Sequence, residues 1–358
     1  MHSYVFPGDL DKEIAAIGSQ PIPYMRTDGF SKINLENESI LLDLIHCQGG
    51  KVIVYTGSGT GAMSAVVENY VSTKKKAIAV NGGSFGKRWV SLCGYYGIPV
   101  IDFKVPFAKD IDYDELERIV EAERPDVFLC QHHETSTGQL FNLERISGIC
   151  RRHNLSLVVD VISSFLAEEL DMDRLGIDIC VTSTQKGLNI PPGLSILFIS
   201  KRLDGYEYAH KGYYWDFADN LSNLRRGQTP FSPATTIHLQ LHARLRQILS
   251  QGGEAVNIAQ VRHRAEVFRV IFIDIIAPFR RYGWTMPAEV PSSAITAIQT
   301  KDTADRHIFN GLIERYQTYI MPGSVPGFYR ISHMGIQSDE DLRILAERIH
   351  ALESEIDE

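Results

Sequence analysis

Short apolar runs alternate along this chain with stretches in which apolar positions return at helical spacing. Val52-Ile53-Val54-Tyr55 leads into Gly57-Ser58-Gly59-Thr60-Gly61 and then a helix-like opening, Ala62 to Val67. Ala77 to Val80, Val100 to Val105 and Val127 to Cys130 read as further strands. Between the last two, Leu116, Ile119 and Val120 fall on one helical face behind an acidic start at Asp112-Tyr113-Asp114-Glu115. Leu143, Ile146 and Ile149 mark another helix, and Leu155 to Val159 a strand ending at Asp160. Ile177 to Val181 is the next apolar run. Strands alternating with amphipathic helices predict an α/β fold: a mostly parallel central sheet flanked by helices. Ligands then gather at the carboxyl ends of the strands.

The pattern changes at Gln251-Gly252-Gly253. Beyond it lie a long helix (Val256 to Ile276), strand-like runs at Ala294 to Ile298 and Tyr329 to Ile331, and a last helix from Asp339. We therefore expect a poorly patterned N-terminal arm over residues 1–23, a large domain over 24–250 and a smaller α+β C-terminal domain over 251–358.

The 358 residues carry a net charge of -8, which argues against a nucleic-acid footprint. The basic run Lys74-Lys75-Lys76 reads as a solvated turn. The five cysteines are odd in number, lack metal spacing and include core-like Cys130 and Cys180. No bound metal is expected. No apolar stretch is long enough to span a membrane, and the amino terminus has no leader pattern, so a cytoplasmic protein is expected.

Chemistry concentrates in two strand ends. Asp160 closes one apolar run, and Lys186 follows the next on a stiff loop, Thr184-Gln185-Lys186-Gly187-Leu188-Asn189-Ile190-Pro191-Pro192-Gly193. A lysine that can form an imine and a carboxylate that can keep a pyridine nitrogen protonated suit pyridoxal 5'-phosphate. The loop Thr56 to Gly61, between a strand and a helix, suits the cofactor's phosphate. It also matches a loose dinucleotide fingerprint, Gly57-x-Gly59-x-x-Ala62. The next strand, however, runs into Asn81-Gly82-Gly83 without the acid that would hold a ribose.

These segments, with Glu134-Thr135-Ser136-Thr137-Gly138 and Val158-Val159-Asp160-Val161-Ile162-Ser163, resemble the class-V aminotransferases of fold type I. That group contains the alanine–glyoxylate, serine–pyruvate and 2-aminoethylphosphonate–pyruvate transaminases. The resemblance runs from about Pro7 to Gly335. It implies that Lys186 is the Schiff-base lysine and proton carrier, and that Asp160 is the partner of the pyridinium nitrogen. Ser58, Gly59, Thr60 and Gln185 would contact the phosphate. Phe85 of Asn81-Gly82-Gly83-Ser84-Phe85-Gly86 would stack on the ring, and Thr135 would lie near its phenolic oxygen. Thr229 and Ser232, within Gln228 to Thr235, would complete the neighbouring subunit's phosphate site, which makes the enzyme a homodimer.

Arg330 would hold the substrate α-carboxylate with its planar fork. Gly8 and Arg26 are further candidates for the substrate pocket. There the chain departs from the family: only Pro7-Gly8 remains of a Gly-Pro-Gly-Pro opening, and Met25 stands where histidine is frequent. His132 and His133 read as structural or substrate-lining.

The implied reaction moves an amino group from a small amino acid of alanine or serine type to a 2-oxo acid such as glyoxylate or pyruvate. A 2-aminoethylphosphonate donor, or lyase or epimerase chemistry on the same fold, remains an alternative. A cysteine desulfurase is disfavoured because every cysteine precedes Lys186.

Overall fold

The computed structural model describes residues 2–278, 283–300, 306–323 and 325–354. Residue 1 of the expected arm and the end of the expected small domain, 355–358, lie outside the described residues.

Seven strands form the central sheet in the order Lys51–Thr56, Leu194–Ile199, Ile179–Ser183, Ser156–Asp160, Val127–Gln131, Ala77–Asn81, Val100–Lys104. All pairings are parallel except those of Leu194–Ile199, which runs antiparallel to both neighbours. That strand follows Gly193 directly and is too close to Ile179–Ser183 in sequence for a helical crossover, so it returns as an antiparallel neighbour.

Alternation along the strands builds two cores. Val127 and Leu129 face one side with Ala62, Met63 and Trp89. Phe128 and Cys130 face the other with Leu41, Leu116, Ile146 and Leu245. Both faces are covered, so Val127–Gln131 and Ile179–Ser183 are buried along their whole length. The fold thus explains the continuous apolar runs of the sequence. It also aims several strand ends, at Thr56, Asn81, Gln131, Asp160 and Ser183, toward one edge.

At the expected break, Gly252 and Gly253 adopt φ of 111° and 81°, a region costly for any other residue. The helix Gly253–Ile271 then begins and widens into a π-helical turn at Phe272–Ile276. Its inner face packs Phe268 and Ile271 against Ile298 and Ile331 of the C-terminal sheet and against Leu345 and Ile349 of the last helix. That sheet pairs Phe328–Ser332 with Ile295–Gln299 and Met321–Pro322.

The expected arm is more structured than its sequence pattern suggests. His2–Ser3 pairs in parallel with Thr318–Tyr319, and Tyr4 is buried in the C-terminal core. Asp11 caps the short helix Lys12–Ala16. Two-residue pairing with a strand at the far end of the chain leaves no local periodicity to read.

Candidate active site

The glycine loop sits at the amino end of the helix Gly59–Asn69. Ser58 caps this helix by position but makes no side-chain bond to it; Gly61 N donates to the Ser58 carbonyl at 2.7 Å, and the N–H groups of Gly59 and Thr60 are left for an anion. A side chain at Gly59 would lie 2.5 Å from Ile162 and 3.4 Å from the Ser183 hydroxyl, and one at Gly61 would lie 2.8 Å from Trp215. The backbone can therefore be approached closely only because these residues are glycines. Trp215 is held over the loop through its carbonyl, which accepts from Tyr55 Oη at 2.8 Å and Asn69 Nδ2 at 2.9 Å. The Ser183 hydroxyl is buried without a partner among the described residues, as is Gln185 Oε1. Arg88 reaches the same loop, donating from Nη1 to Thr60 Oγ1 at 2.8 Å.

Asp160 is 5% exposed at its strand end, and Oδ1 accepts the Ile162 N–H at 2.8 Å. Burial pushes its carboxyl up to about 7; the charge of Glu134 adds to that, while Arg88 and Lys186 oppose it. Lys186 shifts the other way. Burial pulls its amine down to about 7, helped by the positive charges of Arg330 and Arg88 and opposed by Asp160.

The lysine loop is tightly held. Gly187 leaves no room for a Cβ, which would meet the Phe165 carbonyl. Asn189, at φ 50°, donates its side-chain amide to the Pro7 carbonyl at 2.7 Å. The Phe6 ring then lies under the amine, 3.6 Å from Lys186 Nζ to the centroid.

Phe85 precedes the helix Gly86–Tyr95, and the buried Glu134 carboxylate caps that helix. Its oxygens accept from Phe85 N at 3.3 Å, Gly86 N at 2.9 Å and Gln131 Nε2 at 3.0 Å. Thr135 Oγ1 lies 2.6 Å from Ser163 Oγ, which lies 2.9 Å from His133 Nδ1. Burial lowers His132 to about 4 and His133 to about 3, so both are neutral near pH 7.

Arg330 donates from Nη1 to the Thr135 carbonyl at 3.0 Å and from Nη2 to the Pro322 carbonyl at 2.7 Å. Its buried Nε has no partner, and no carboxylate pairs with it among the described residues. A guanidinium bonded only to carbonyls is suited to an incoming carboxylate.

The remaining candidates lie at other places. Arg26 donates to Gln228 Oε1 at 2.9 Å and to the Thr229 carbonyl at 2.6 Å, so its fork holds the 228–230 segment. Thr229 Oγ1 donates to the Phe231 carbonyl, Ser232 is exposed, and Ala234 N donates to Thr56 Oγ1. Gly8, at φ 82°, lies on the arm that also carries Phe6, and a side chain there would come within 2.9 Å of the Met334 carbonyl and 3.4 Å of Gly335 Cα. Sequence reasoning missed Phe6, Arg88, Ser163 and Trp215, and it did not see that Glu134 acts as a cap. Arg88 stands one helical turn after Phe85, which was a usable signal; Phe6 and Trp215 arrive by long-range folding.

The groups present fit pyridoxal phosphate. An open helix end with an unpartnered buried hydroxyl would suit a phosphate, a buried carboxylate stands at one strand end, and a desolvated lysine lies on the next loop.

Comparison with known proteins agrees with this arrangement. Residues 29–209, just over half of the chain, match the family described as aminotransferase class-V. A protein named soluble hydrogenase, small subunit, from Synechococcus is 26% identical over 96% of this chain and 90% of its own length. An L-aspartate–glyoxylate aminotransferase from Paracoccus denitrificans is 28% identical over 81% of this chain and 74% of its own. The crystal structure of a subgroup IV aspartate aminotransferase from Thermus thermophilus superposes with a TM-score of 0.89 at 22% identity, covering 99% of both chains. No described helix is long and apolar enough to cross a membrane.

Proposed function

The chain belongs to the class-V aminotransferases, and on that premise we propose that it moves an amino group from a small amino acid to a 2-oxo acid such as glyoxylate or pyruvate. The observation that carries this reading is the opposed tuning of Asp160 and Lys186, both brought to about 7 at neighbouring strand ends.

When bound, pyridoxal phosphate supplies an aldehyde that takes up an amino group and a protonated ring that draws electrons from the substrate α-carbon. The glycine loop, with Ser58, Gly59 and Thr60, would hold its phosphate, supported by Gln185 and Arg88. Phe85 would set the plane of its ring, and Thr135 would stand near its phenolic oxygen. Asp160 holds a proton at the ring nitrogen, because an ionised carboxylate in a desolvated site favours a cation beside it. Lys186 moves a proton at the α-carbon; an amine near neutrality can both accept and return it. Arg330 binds the α-carboxylate of donor and acceptor alike, so one site serves both halves of the reaction.

The same reading makes the working unit a homodimer. Supporting it, the 229–232 segment is accompanied by exposed aromatics: Tyr213 is 87% exposed, and Tyr214 stacks on Phe231 at 5.0 Å. Thr229 and Ser232 would serve the partner's phosphate site.

The deciding experiment is borohydride reduction of the holoenzyme followed by peptide mapping. The cofactor should be fixed to the peptide bearing Lys186, and Lys186→Ala should fold but lose turnover with alanine, serine or aspartate as donor. Labelling at another lysine would overturn the assignment.

A further inference from the structure

Behind the lysine loop lies a second polar cavity of about 270 Å³, between the helices Thr235–Ser250 and Gly253–Ile271 and the segment 334–337. Gly187 and Asn189 form part of its wall, while Lys186, Asp160 and Arg330 do not. Two arginines, Arg244 and Arg264, enter it from the two helices. Arg244 is spent largely on neutral acceptors: Nε on the Leu188 carbonyl at 3.1 Å, Nη1 on Gln247 Oε1 at 2.6 Å, Nη2 on Asn257 Oδ1 at 2.9 Å. Arg264 donates from Nε to the His333 carbonyl at 2.8 Å, and its two Nη groups have no partner among the described residues.

Neither guanidinium has a carboxylate within 4.0 Å among the described residues. The acids that face them are already engaged. Asp11, which lines the cavity on the Arg244 side, caps Glu13 and Ile14 and accepts from Gln247 at 3.0 Å, so the Arg264 side is the one without an acid in the wall. Asp339, toward Arg264, pairs with His263 at 3.0 Å. Burial and the charge of Arg244 lower Arg264 to about 10, so two like charges share a partly desolvated space. Buried charge is ordinarily paired, and a guanidinium fork matches a planar or tetrahedral oxyanion.

We propose that this cavity is a second anion site, in which the free Nη groups of Arg264, with Arg244 beside them, bind a small oxyanion of carboxylate or phosphate type. An occupant would touch the backbone of the loop that carries Lys186, since Gly187 and Asn189 line the cavity. The inference rests on the arginine pair and does not depend on the substrate assigned to the main site.

The test uses holoenzyme, so that the cofactor's own phosphate cradle is filled. Inorganic phosphate and malonate are each titrated by calorimetry into Arg330→Gln, which removes the proposed substrate-carboxylate site, and into Arg330→Gln/Arg264→Gln. We expect at least one anion to bind the single variant and its Kd to rise at least tenfold in the double variant; the anion that binds tighter reports whether the site prefers phosphate or carboxylate geometry. Absence of binding to the single variant, or equal binding to both, would overturn the proposal. Wild-type crystals soaked in selenate give an independent reading that needs no variant. An anomalous peak within hydrogen-bond reach of Arg264 supports the site, and peaks confined to other places refute it.

Discussion

Lys186 Nζ stands 3.6 Å from the centroid of the Phe6 ring, so the N-terminal arm supplies the floor beneath the candidate catalytic amine. Asn189 ties the two segments together by donating to the Pro7 carbonyl. The ring has two opposing effects. Its π-face favours the charged amine by about 0.5–2 kcal/mol, while its bulk excludes water and favours the neutral one. Burial is the largest influence on Lys186 and brings it to about 7, so exclusion of water wins.

In cofactor-free protein, the reaction of Lys186 with an amine-directed reagent should therefore show a midpoint near pH 7. At that pH roughly half the amine is neutral, against about one part in a few thousand for an ordinary lysine. Phe6→Ala should admit water and move the midpoint upward. A midpoint that falls instead would show that the ring acts chiefly as a cation partner.

Asp160 should cost the cofactor-free protein stability. Its folded carboxyl titrates at about 7, raised from 3.8 by burial. Below 3.8 both folded and unfolded forms are protonated and no penalty exists. The penalty grows as pH rises from there and is complete above about 7, where the buried group must ionise. Asp160→Asn keeps an acceptor for the Ile162 N–H but removes the charge. Its apoprotein should melt higher than wild type at pH 8, and the advantage should shrink toward pH 5. With cofactor bound the order should reverse, because the carboxylate then has a cation to face. Apoprotein melting curves that coincide at pH 8 would contradict the burial argument.

Glu134 should act as a positioning residue for Phe85. Its carboxylate accepts from the Phe85 and Gly86 N–H groups at the start of the helix Gly86–Tyr95. In Glu134→Gln, the amide –NH2 must replace either Oε1, which accepts from the Phe85 and Ser136 N–H groups, or Oε2, which accepts from the Gly86 N–H and Gln131 Nε2, so at least one buried bond is lost. The expected cost is about 1–3 kcal/mol in stability. Cofactor affinity should also fall, while Lys186 keeps its reactivity in the apoprotein. A fall in melting temperature with unchanged cofactor affinity would mean that Glu134 supports the fold without placing the ring platform.

These residues show what sequence carries and what it hides. Asp160 and Lys186 were legible because one closes an apolar run and the other follows a few residues after the next, and runs buried on both faces of a parallel sheet put their ends at one edge. The glycine loop was legible because a strand–glycine–helix junction is local. Leu194–Ile199 escaped notice since nothing in an apolar stretch after Pro192-Gly193 states that it turns back antiparallel. Phe6, Trp215 and the Arg244–Arg264 pair are brought in by contacts between distant segments, and no periodicity encodes those. The pattern of residues 1–23 looked empty because the arm is stabilised by what it docks against.

Arg330 carries the sharpest test of the substrate class. Its fork is bonded to the Thr135 and Pro322 carbonyls, its Nε is unpartnered, and no carboxylate of the described chain neutralises it. Removing it should leave a substrate carboxylate without its partner, at a cost of about 2–5 kcal/mol. That corresponds to a rise in KM of roughly 30- to 4000-fold for amino donor and 2-oxo acid alike. Arg330 also lowers the Lys186 amine through its charge, so Arg330→Gln should move the apoprotein reactivity midpoint of Lys186 upward. Arg330→Lys separates the two roles. It keeps the charge but loses the planar fork, so the midpoint of Lys186 should hold while KM for both substrates stays raised. A donor without an α-carboxylate, such as 2-aminoethylphosphonate, should be affected differently from alanine in the first half-reaction and identically when pyruvate is the acceptor. If Arg330→Gln binds alanine and pyruvate as tightly as wild type and merely lowers the melting temperature, the arginine is a structural clasp between Thr135 and Pro322, and the carboxylate site lies elsewhere.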